Sequence, residues 1–196
     1  MTHEHPVAAG KSSYDLIDSE KFWQFLAIPS GITALDLACG AGRYTLPLAE
    51  RVGPRGKVIA VDLWADGIAQ LRTEARRRQM NNVETHVADA GQALPLDDQS
   101  IDLCLMATVL HDFVQAGMAA DALRELARVL KPQGVMVMVE FKKEPTPHGP
   151  PHPIRLSVED LAVMVQRLRF IRFSGVVDLG QDLYAARFRR LGTQSL

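Results

Sequence analysis

The amino-acid sequence predicts an α/β fold: a single doubly wound domain built on a parallel sheet. Two observations indicate this fold. Short, nearly continuous apolar runs alternate with amphipathic helical patterns, as they do where helices cover both faces of parallel strands. The chain has 196 residues, and at roughly 150 residues per domain that length corresponds to one domain.

The N-terminal segment, residues 1–30, precedes this alternation. Residues 1–13 are polar and predict a mobile end. A run rich in large apolar side chains then predicts a short helix over 20–27, ended by proline and glycine. We expect this segment to cover the functional site and residues 31–196 to form the main domain. Trp23 and its apolar neighbours are a candidate homodimer surface.

The elements of the main domain follow from the positions of its apolar residues. Apolar runs predict five strands, at 32–38, 58–61, 83–88, 101–107 and 135–141. Helical spacing between them predicts three helices, at 43–52, 65–79 and 117–130. Stretches that begin at Gly53, Asn81 and Lys131 are typical of helix ends and separate each helix from the next strand.

A proline-rich stretch, residues 144–153, interrupts the alternation. Its five prolines exclude a helix or a central strand. It follows the fifth strand, at the edge where doubly wound sheets bind ligands, so it is either a stiff connector or a rigid wall of a pocket. Ser157 is then expected to cap a helix. The final strands, 170–177 and 183–188, are joined by a hairpin-length connection, which predicts an antiparallel last strand.

Composition and charge exclude several classes of protein. Hydrophobic residues make up 47% and charged residues 23%, as in ordinary globular domains. The net charge of −1 disfavours a nucleic-acid partner held by overall charge. Cys39 and Cys104 form no Cys-x-x-Cys pair, and His148 and His152 have no established ligand spacing, so we expect no metal. No apolar stretch approaches ~18 residues and no signal-peptide core is evident, so we expect a cytoplasmic protein without a membrane partner.

A Gly-x-Gly loop lies between the first strand and its helix, in the run from Leu35 to Gly42. Glycines let a ligand approach the backbone, and the free N–H groups of a helix N-terminus suit a nucleotide-like ligand. Thr45 stands where a dinucleotide fingerprint has its third glycine, and Asp36 places a carboxylate where a pyrophosphate would be repelled. A carboxylate there suits an ammonium group. The loop therefore predicts a ligand that joins a nucleoside to an amino acid.

Two more aspartates follow the next two strands. Asp62 ends the second strand, 22 residues after Gly40, where a carboxylate can accept both hydroxyls of a ribose. The alternative for Asp62 is a helix cap. Asp89 follows the third strand and is placed to accept from an adenine amino group, with a turn residue as the alternative.

These motifs, together with the segments Ile101-Asp102-Leu103 and Leu130-Lys131-Pro132-Gln133-Gly134, resemble a class I S-adenosylmethionine (SAM) dependent methyltransferase over residues 30–190. The chain is most similar to the small bacterial branch related to ubiquinone/menaquinone C-methyltransferases. The resemblance implies a Rossmann-like domain with a seven-stranded sheet, and SAM as the cofactor, converted to S-adenosylhomocysteine (SAH). By position it implies that SAM is bound by Asp36, Ala38, Gly40 and Gly42 at its methionine part, by Asp62 at its ribose, and by Leu63, Asp89 and Ala90 at its adenine.

The acceptor side of the site is less defined. A general base is needed only where the nucleophile must lose a proton. His111, directly after the fourth strand, is the candidate catalytic residue, with a supporting hydrogen bond as the alternative. Tyr14, Glu140 and His148 are further candidates for the substrate pocket. The absence of a large inserted cap favours a small-molecule acceptor.

Three further interpretations concern function. The longer N-terminal segment of the quinone enzymes is not found, which argues against a quinone acceptor. A non-catalytic SAM-binding protein would carry the same cofactor residues and stays open. An NAD(P)-dependent reductase is disfavoured by Asp36, by the missing third glycine and by the lack of a Tyr-x-x-x-Lys pair.

Overall fold

A single mixed sheet forms the centre of the computed structural model, which describes residues 9–192. Its strands are β1 (Thr33–Leu37), β2 (Lys57–Asp62), β3 (Val83–Val87), β4 (Ile101–Ala107), β5 (Leu130–Phe141), β6 (Phe170–Asp178) and β7 (Leu183–Arg190). They lie in the order β3-β2-β1-β4-β5-β7-β6. Only β7 runs antiparallel to its neighbours β5 and β6. The predicted doubly wound, seven-stranded sheet with an antiparallel last strand is therefore confirmed.

Helices cover both faces of the sheet. They are α1 (Ser19–Leu26), α2 (Thr45–Val52), α3 (Ala65–Arg77), α4 (Leu110–Gln115), α5 (Ala119–Val129) and α6 (Val158–Gln166). One core cluster packs α1 and α2 against the sheet, and a second packs α4, α5 and α6 against the opposite face. This burial on both faces explains why the central strands read as continuous apolar runs. Among residues 9–192, no helix has the length and apolar character needed to cross a membrane.

Helix α4 is the element that sequence analysis missed. It has six residues, too few for a helical period to be recognised. Strand β5 also begins at Leu130 and not at Val135, because Leu130 pairs with Ile101 before a register irregularity. The predicted helix end at Lys131 is instead an irregular start of the strand.

Helix caps and the first helix refine the predictions further. Asp18 caps α1, which begins at Ser19, because its Oδ1 accepts the backbone N–H of Lys21 at 3.1 Å. Ser157 caps α6 as predicted, in a reciprocal pair with Asp160. Trp23 is buried, and the Arg51 guanidinium lies 4.0 Å from its ring centroid. The Trp23 side chain is thus part of the core and does not form the exposed dimer surface that the sequence suggested.

Candidate functional site

The loop between β1 and α2 has the backbone shape of a ligand cradle. Ala38, Gly40 and Gly42 all have positive φ values, of 59°, 55° and 82°. A Cβ atom built on Gly40 would meet nothing within 4 Å, whereas one built on Gly42 would lie 2.3 Å from Leu71 Cδ1 of α3. Gly40 therefore borders open space at the sheet edge, and Gly42 permits close packing of the loop against α3.

A buried carboxylate lies beneath this loop. Asp36 is 1% exposed, and its Oδ2 accepts a hydrogen bond from Thr45 Oγ1 at 2.5 Å. Burial raises the pKa of Asp36 to about 7; the Thr45 hydrogen bond opposes this shift and the charge of Asp62 adds to it. Thr45 occupies the position of the missing third glycine, and its hydroxyl explains why a side chain belongs there. A cation brought to this carboxylate would favour its ionised form.

Asp62 joins the ends of β1 and β2. Its Oδ2 accepts the N–H of Gly40 at 2.6 Å, and its Oδ1 accepts the N–H of Trp64 at 2.7 Å. The N-cap of α3 is Trp64, so the alternative of a helix-capping Asp62 does not describe its role. Each carboxylate oxygen can accept more than one hydrogen bond, which leaves capacity for hydroxyl donors of a ligand.

Apolar side chains border the next part of the edge. Leu63 and Val87 are large hydrophobic residues that are 56% and 52% exposed. Asp89 accepts the N–H of Gly91 at 2.9 Å through Oδ1, which is the contact of a turn residue, and Ala90 is buried. Two exposed apolar side chains close to a carboxylate suit a flat heteroaromatic ring with an amino group. Val87 carried no recognisable signal in the sequence, because it ends a short strand of mixed polar and apolar residues, in which nothing marks one apolar side chain as exposed.

His111 and Glu140 form a buried pair on the other side of β1. Their side chains are 6% and 1% exposed, and His111 Nδ1 lies 2.6 Å from Glu140 Oε2. Glu140 Oε1 also accepts the N–H groups of Leu110 and His111 at 3.0 and 3.4 Å, so it satisfies the first turn of α4. The sequence candidates His111 and Glu140 are thus brought together, although 29 residues separate them.

The N-terminal segment is attached to this edge. Ser13 is buried, and its Oγ lies 3.0 Å from Tyr44 Oη and accepts a hydrogen bond from Thr108 Oγ1 at 3.0 Å. Tyr14 packs edge-on against Tyr44, with 4.9 Å between ring centroids. The mobile end predicted for residues 1–13 therefore does not extend to Ser13. The rest of that prediction falls largely on residues 1–8, which lie outside the described residues.

The proline-rich stretch is organised by Arg155. This buried guanidinium donates to the carbonyl oxygen of Lys142, just before the stretch, and to four oxygens within it, all at 2.6–3.1 Å: the carbonyl oxygens of Glu144, His148 and Pro150, and Thr146 Oγ1. His148, which is half-exposed, contacts Asp182 Oδ2 through Nδ1 at 2.8 Å. The 3-10 turn His152–Ile154 packs against α4. Sequence analysis missed Arg155 because four of its five partners are backbone oxygens, which leave no pattern of residue types.

Replacing Arg155 with Met is expected to loosen the proline-rich stretch. Loss of the five acceptor contacts should destabilise the fold by about 2–3 kcal/mol, because backbone oxygens lose buried donors. Amide hydrogen exchange should rise within residues 144–153 while the central strands stay protected. Arg172→Met is the matched control, since Arg172 is half-exposed and its nearest carboxylate oxygen is 3.9 Å away. Unchanged exchange in the Arg155 variant would contradict this organising role.

The fold and the edge define a class of protein. A doubly wound sheet with a glycine loop after β1 and carboxylates at the ends of β1 and β2 is a Rossmann-like nucleoside-binding domain. Residues 28–168 match a family model described as a methyltransferase domain. The chain belongs to the class I SAM-dependent methyltransferase family.

Relatives with names support this assignment. The chain is 31% identical over 168 residues to the ubiquinone/menaquinone biosynthesis C-methyltransferase UbiE of Shewanella baltica, covering 80% of this chain and 62% of that protein. It is 33% identical to the demethylmenaquinone methyltransferase of Lactobacillus johnsonii, over 65% of this chain and 51% of the other. The chain therefore spans about three fifths or less of the length of these curated relatives. A SAM-dependent methyltransferase from Aquifex aeolicus has the same fold, with a TM-score of 0.82, 27% identity and coverage of 92% and 93%.

Proposed function

We propose that this protein transfers a methyl group from SAM to a small molecule. The observation that supports this proposal most directly is the loop at Gly40, which borders open space and lies between two carboxylates, Asp36 and Asp62. SAM offers one cationic ammonium group, one ribose and one adenine. The charge and hydrogen-bond capacity along the edge fit these groups in that order, whereas a pyrophosphate would meet two carboxylates.

In this proposal the residues named for SAM have distinct tasks. Asp36 pairs with the ammonium group, Asp62 accepts from the ribose hydroxyls, and Gly40 and Gly42 keep the loop close to the ligand. When bound, SAM supplies an electrophilic methyl group on a sulfonium. Asp89 accepts from the adenine amino group, and the chain of contacts through Ser13 holds the N-terminal segment over the edge, so that water is excluded from the transfer.

The affinity for SAM is expected to depend on pH through Asp36. The pKa of Asp36 is raised to about 7 in the free protein. A bound ammonium favours the ionised carboxylate, so binding lowers the pKa and releases a proton below neutral pH. Affinity should therefore fall about tenfold from pH 7.5 to pH 6 if only the ionised form binds.

Calorimetry in buffers of different ionisation enthalpy measures the number of protons released when SAM binds. Wild-type protein should release nearly one proton per SAM at pH 6. Asp36→Asn is the matched control, because it keeps the size of the side chain and cannot ionise; its weaker affinity should not vary over this range. An affinity of the wild-type protein that stays constant between pH 6 and pH 7.5 would contradict the pairing with the ammonium.

The acceptor site is proposed to lie beyond β4 and β5. We propose that Tyr14, His111, Glu140 and His148 border this part of the edge and that His111 contacts the acceptor. The Shewanella relative is named a C-methyltransferase of ubiquinone and menaquinone biosynthesis, and the Lactobacillus relative is named a demethylmenaquinone methyltransferase. We propose a hydroxylated aromatic small molecule as the acceptor, methylated at a ring carbon or at oxygen.

Product analysis tests this acceptor class. The protein is incubated with SAM labelled in its methyl group and with hydroxynaphthalenes, alkyl hydroquinones and the matching aromatic amines. Label should appear on a hydroxylated compound, and mass fragmentation should place it on carbon or oxygen. Transfer to an amine alone would contradict the proposed acceptor. SAM binding without transfer to any compound would favour the non-catalytic SAM-binding alternative.

A further inference from the structure

We infer that Glu140 is a positioning residue: it holds His111 in the neutral tautomer whose Nε2 lone pair is free to take a proton from the methyl acceptor. This inference rests on the proposed methyltransferase function and gives a chemical reason for its acceptor class. In a hydroxylated aromatic molecule, the nucleophilic oxygen or carbon must lose a proton.

The hydrogen bond between the two side chains determines the tautomer. A carboxylate has no hydrogen to donate, so at the 2.6 Å contact Nδ1 of His111 must be the protonated nitrogen. The other Glu140 oxygen accepts the backbone N–H groups of Leu110 and His111, which anchors the carboxylate to α4. Neither partner is free to rotate away, since both side chains are buried. In the neutral ring, Nε2 therefore carries the lone pair.

Nε2 is the nitrogen available to a ligand. It makes no hydrogen bond with any residue between 9 and 192, and the nearest carboxylate oxygen, Asp112 Oδ1, is 3.6 Å away. Helix α4 begins just after β4, so the ring lies at the carboxyl-terminal edge of the sheet, where open α/β sheets bind ligands. The ring of Phe141 packs edge-on against the imidazole, with 6.1 Å between centroids, and limits its movement.

The charges around the ring favour proton uptake. The groups that face it are Glu140 from β5, Asp112 from α4 and Arg155 from the chain after the 3-10 turn. Burial lowers the pKa of His111, but the hydrogen bond and charge of Glu140 and the charge of Asp112 outweigh burial and the opposing Arg155, so that its pKa lies above the usual value. His111 is accordingly a stronger base than a free imidazole.

The reaction balances with this base. The acceptor's O–H or activated C–H proton moves to Nε2, and the electron pair left on the acceptor forms the bond to the methyl carbon. The carbon–sulfur bond breaks with its pair on sulfur, which turns the sulfonium into a neutral thioether. The imidazolium then returns its proton to solvent. A neutral amine can attack the methyl carbon before it loses a proton and so needs no base at that step. The base formed by His111 and Glu140 therefore suits O–H and C–H acceptors.

Nitrogen NMR of the histidine rings tests the inference without an acceptor. Two-bond ¹H–¹⁵N spectra of the full chain are recorded across pH for wild-type, Glu140→Gln and Glu144→Gln proteins, and His111→Gln identifies the signal. In wild-type protein the neutral ring should show protonated Nδ1 and unprotonated Nε2. In Glu140→Gln the titration midpoint should fall by about one pH unit, because the neighbouring charge is removed. Glu144→Gln, in the exposed part of the proline-rich stretch, should leave it unchanged.

Either of two results would overturn the inference. One is a neutral wild-type ring protonated at Nε2, which needs no variant to detect. The other is a midpoint that does not respond to Glu140→Gln, which would mean that the carboxylate only caps α4. Calorimetric titration of the same wild-type sample with SAH separates the proposed function from the inference about Glu140. Failure to bind SAH would contradict the proposed function and leave the tautomer result unchanged.

Discussion

Asp62→Ala is expected to abolish measurable SAM and SAH binding. In the folded protein this carboxylate accepts hydrogen bonds from the backbone N–H groups of Gly40 and Trp64. It therefore sets the distance between the glycine loop and the end of β2. In the proposed complex it also accepts from the ribose. Loss of charge-assisted hydrogen bonds worth about 1.5–3 kcal/mol each corresponds to an affinity more than about 100-fold weaker. Titration calorimetry with both ligands measures the effect.

Two further variants separate binding from folding. Asp62→Asn has no charge and keeps an acceptor oxygen for only one of the two backbone N–H groups, so it should recover part of the thermal stability while binding stays weak. Asp66→Ala changes an exposed carboxylate in the first turn of α3 and should bind SAM normally. If Asp62→Ala bound SAM as tightly as Asp66→Ala, the ribose role proposed for Asp62 would be wrong.

Alanine substitutions of the two loop glycines are expected to have different effects: Gly40→Ala should mainly weaken SAM binding, and Gly42→Ala should mainly destabilise the fold. Gly40→Ala places its methyl group in open space, so the main cost to folding is the positive φ, about 1–2 kcal/mol. The same methyl group enters the space proposed for SAM, so affinity should fall at least about tenfold, as overfilling a close contact costs about 1–3 kcal/mol. Gly42→Ala instead drives a methyl group into Leu71, which is fully buried. It should destabilise folding by about 2–5 kcal/mol, from strain and overpacking together.

Urea unfolding and SAH titration, performed on both variants, compare the two effects. Gly53→Ala is a control for backbone strain away from the loop, since Gly53 also has a positive φ, faces open space and lies at the far end of α2. Its ψ of 179° is almost confined to glycine, so this variant should be destabilised at least as much as Gly40→Ala while its affinity for SAH stays unchanged. Equal affinities for Gly40→Ala and Gly53→Ala would show that the space beside Gly40 is not where SAM binds.

The sheet was predictable because its central strands are buried on both faces. Runs such as 101–107 contain almost only apolar residues, and their spacing by helices leaves few alternative topologies. The start of β5 was not predictable, because Pro132 and Gly134 ordinarily end a helix and here lie within a strand irregularity. Helix α4 was missed because its six residues are too few to show a helical period, and because Glu140, which satisfies its first turn, is distant in sequence.

The candidate site was also predictable only in part. Asp36, Gly40 and Asp62 stand at fixed spacings from strand ends, and the sequence alone brings them to one edge. The contact between His111 and Glu140, the burial of Ser13 beside Thr108 and the five contacts of Arg155 depend on side-chain packing between distant segments. Residue types carry no pattern for such contacts, so sequence analysis proposed His111 and Glu140 singly and did not pair them.

The most direct test of the central claim is titration calorimetry of the wild-type protein with SAM, SAH and NADH. The claim is that the loop at Gly40, between Asp36 and Asp62, accepts a nucleoside joined to an amino acid. SAM and SAH should bind with micromolar affinity at one site per chain, and NADH should give no heat above dilution. Binding of NADH without SAM or SAH would contradict the account, because the two carboxylates would then tolerate a pyrophosphate.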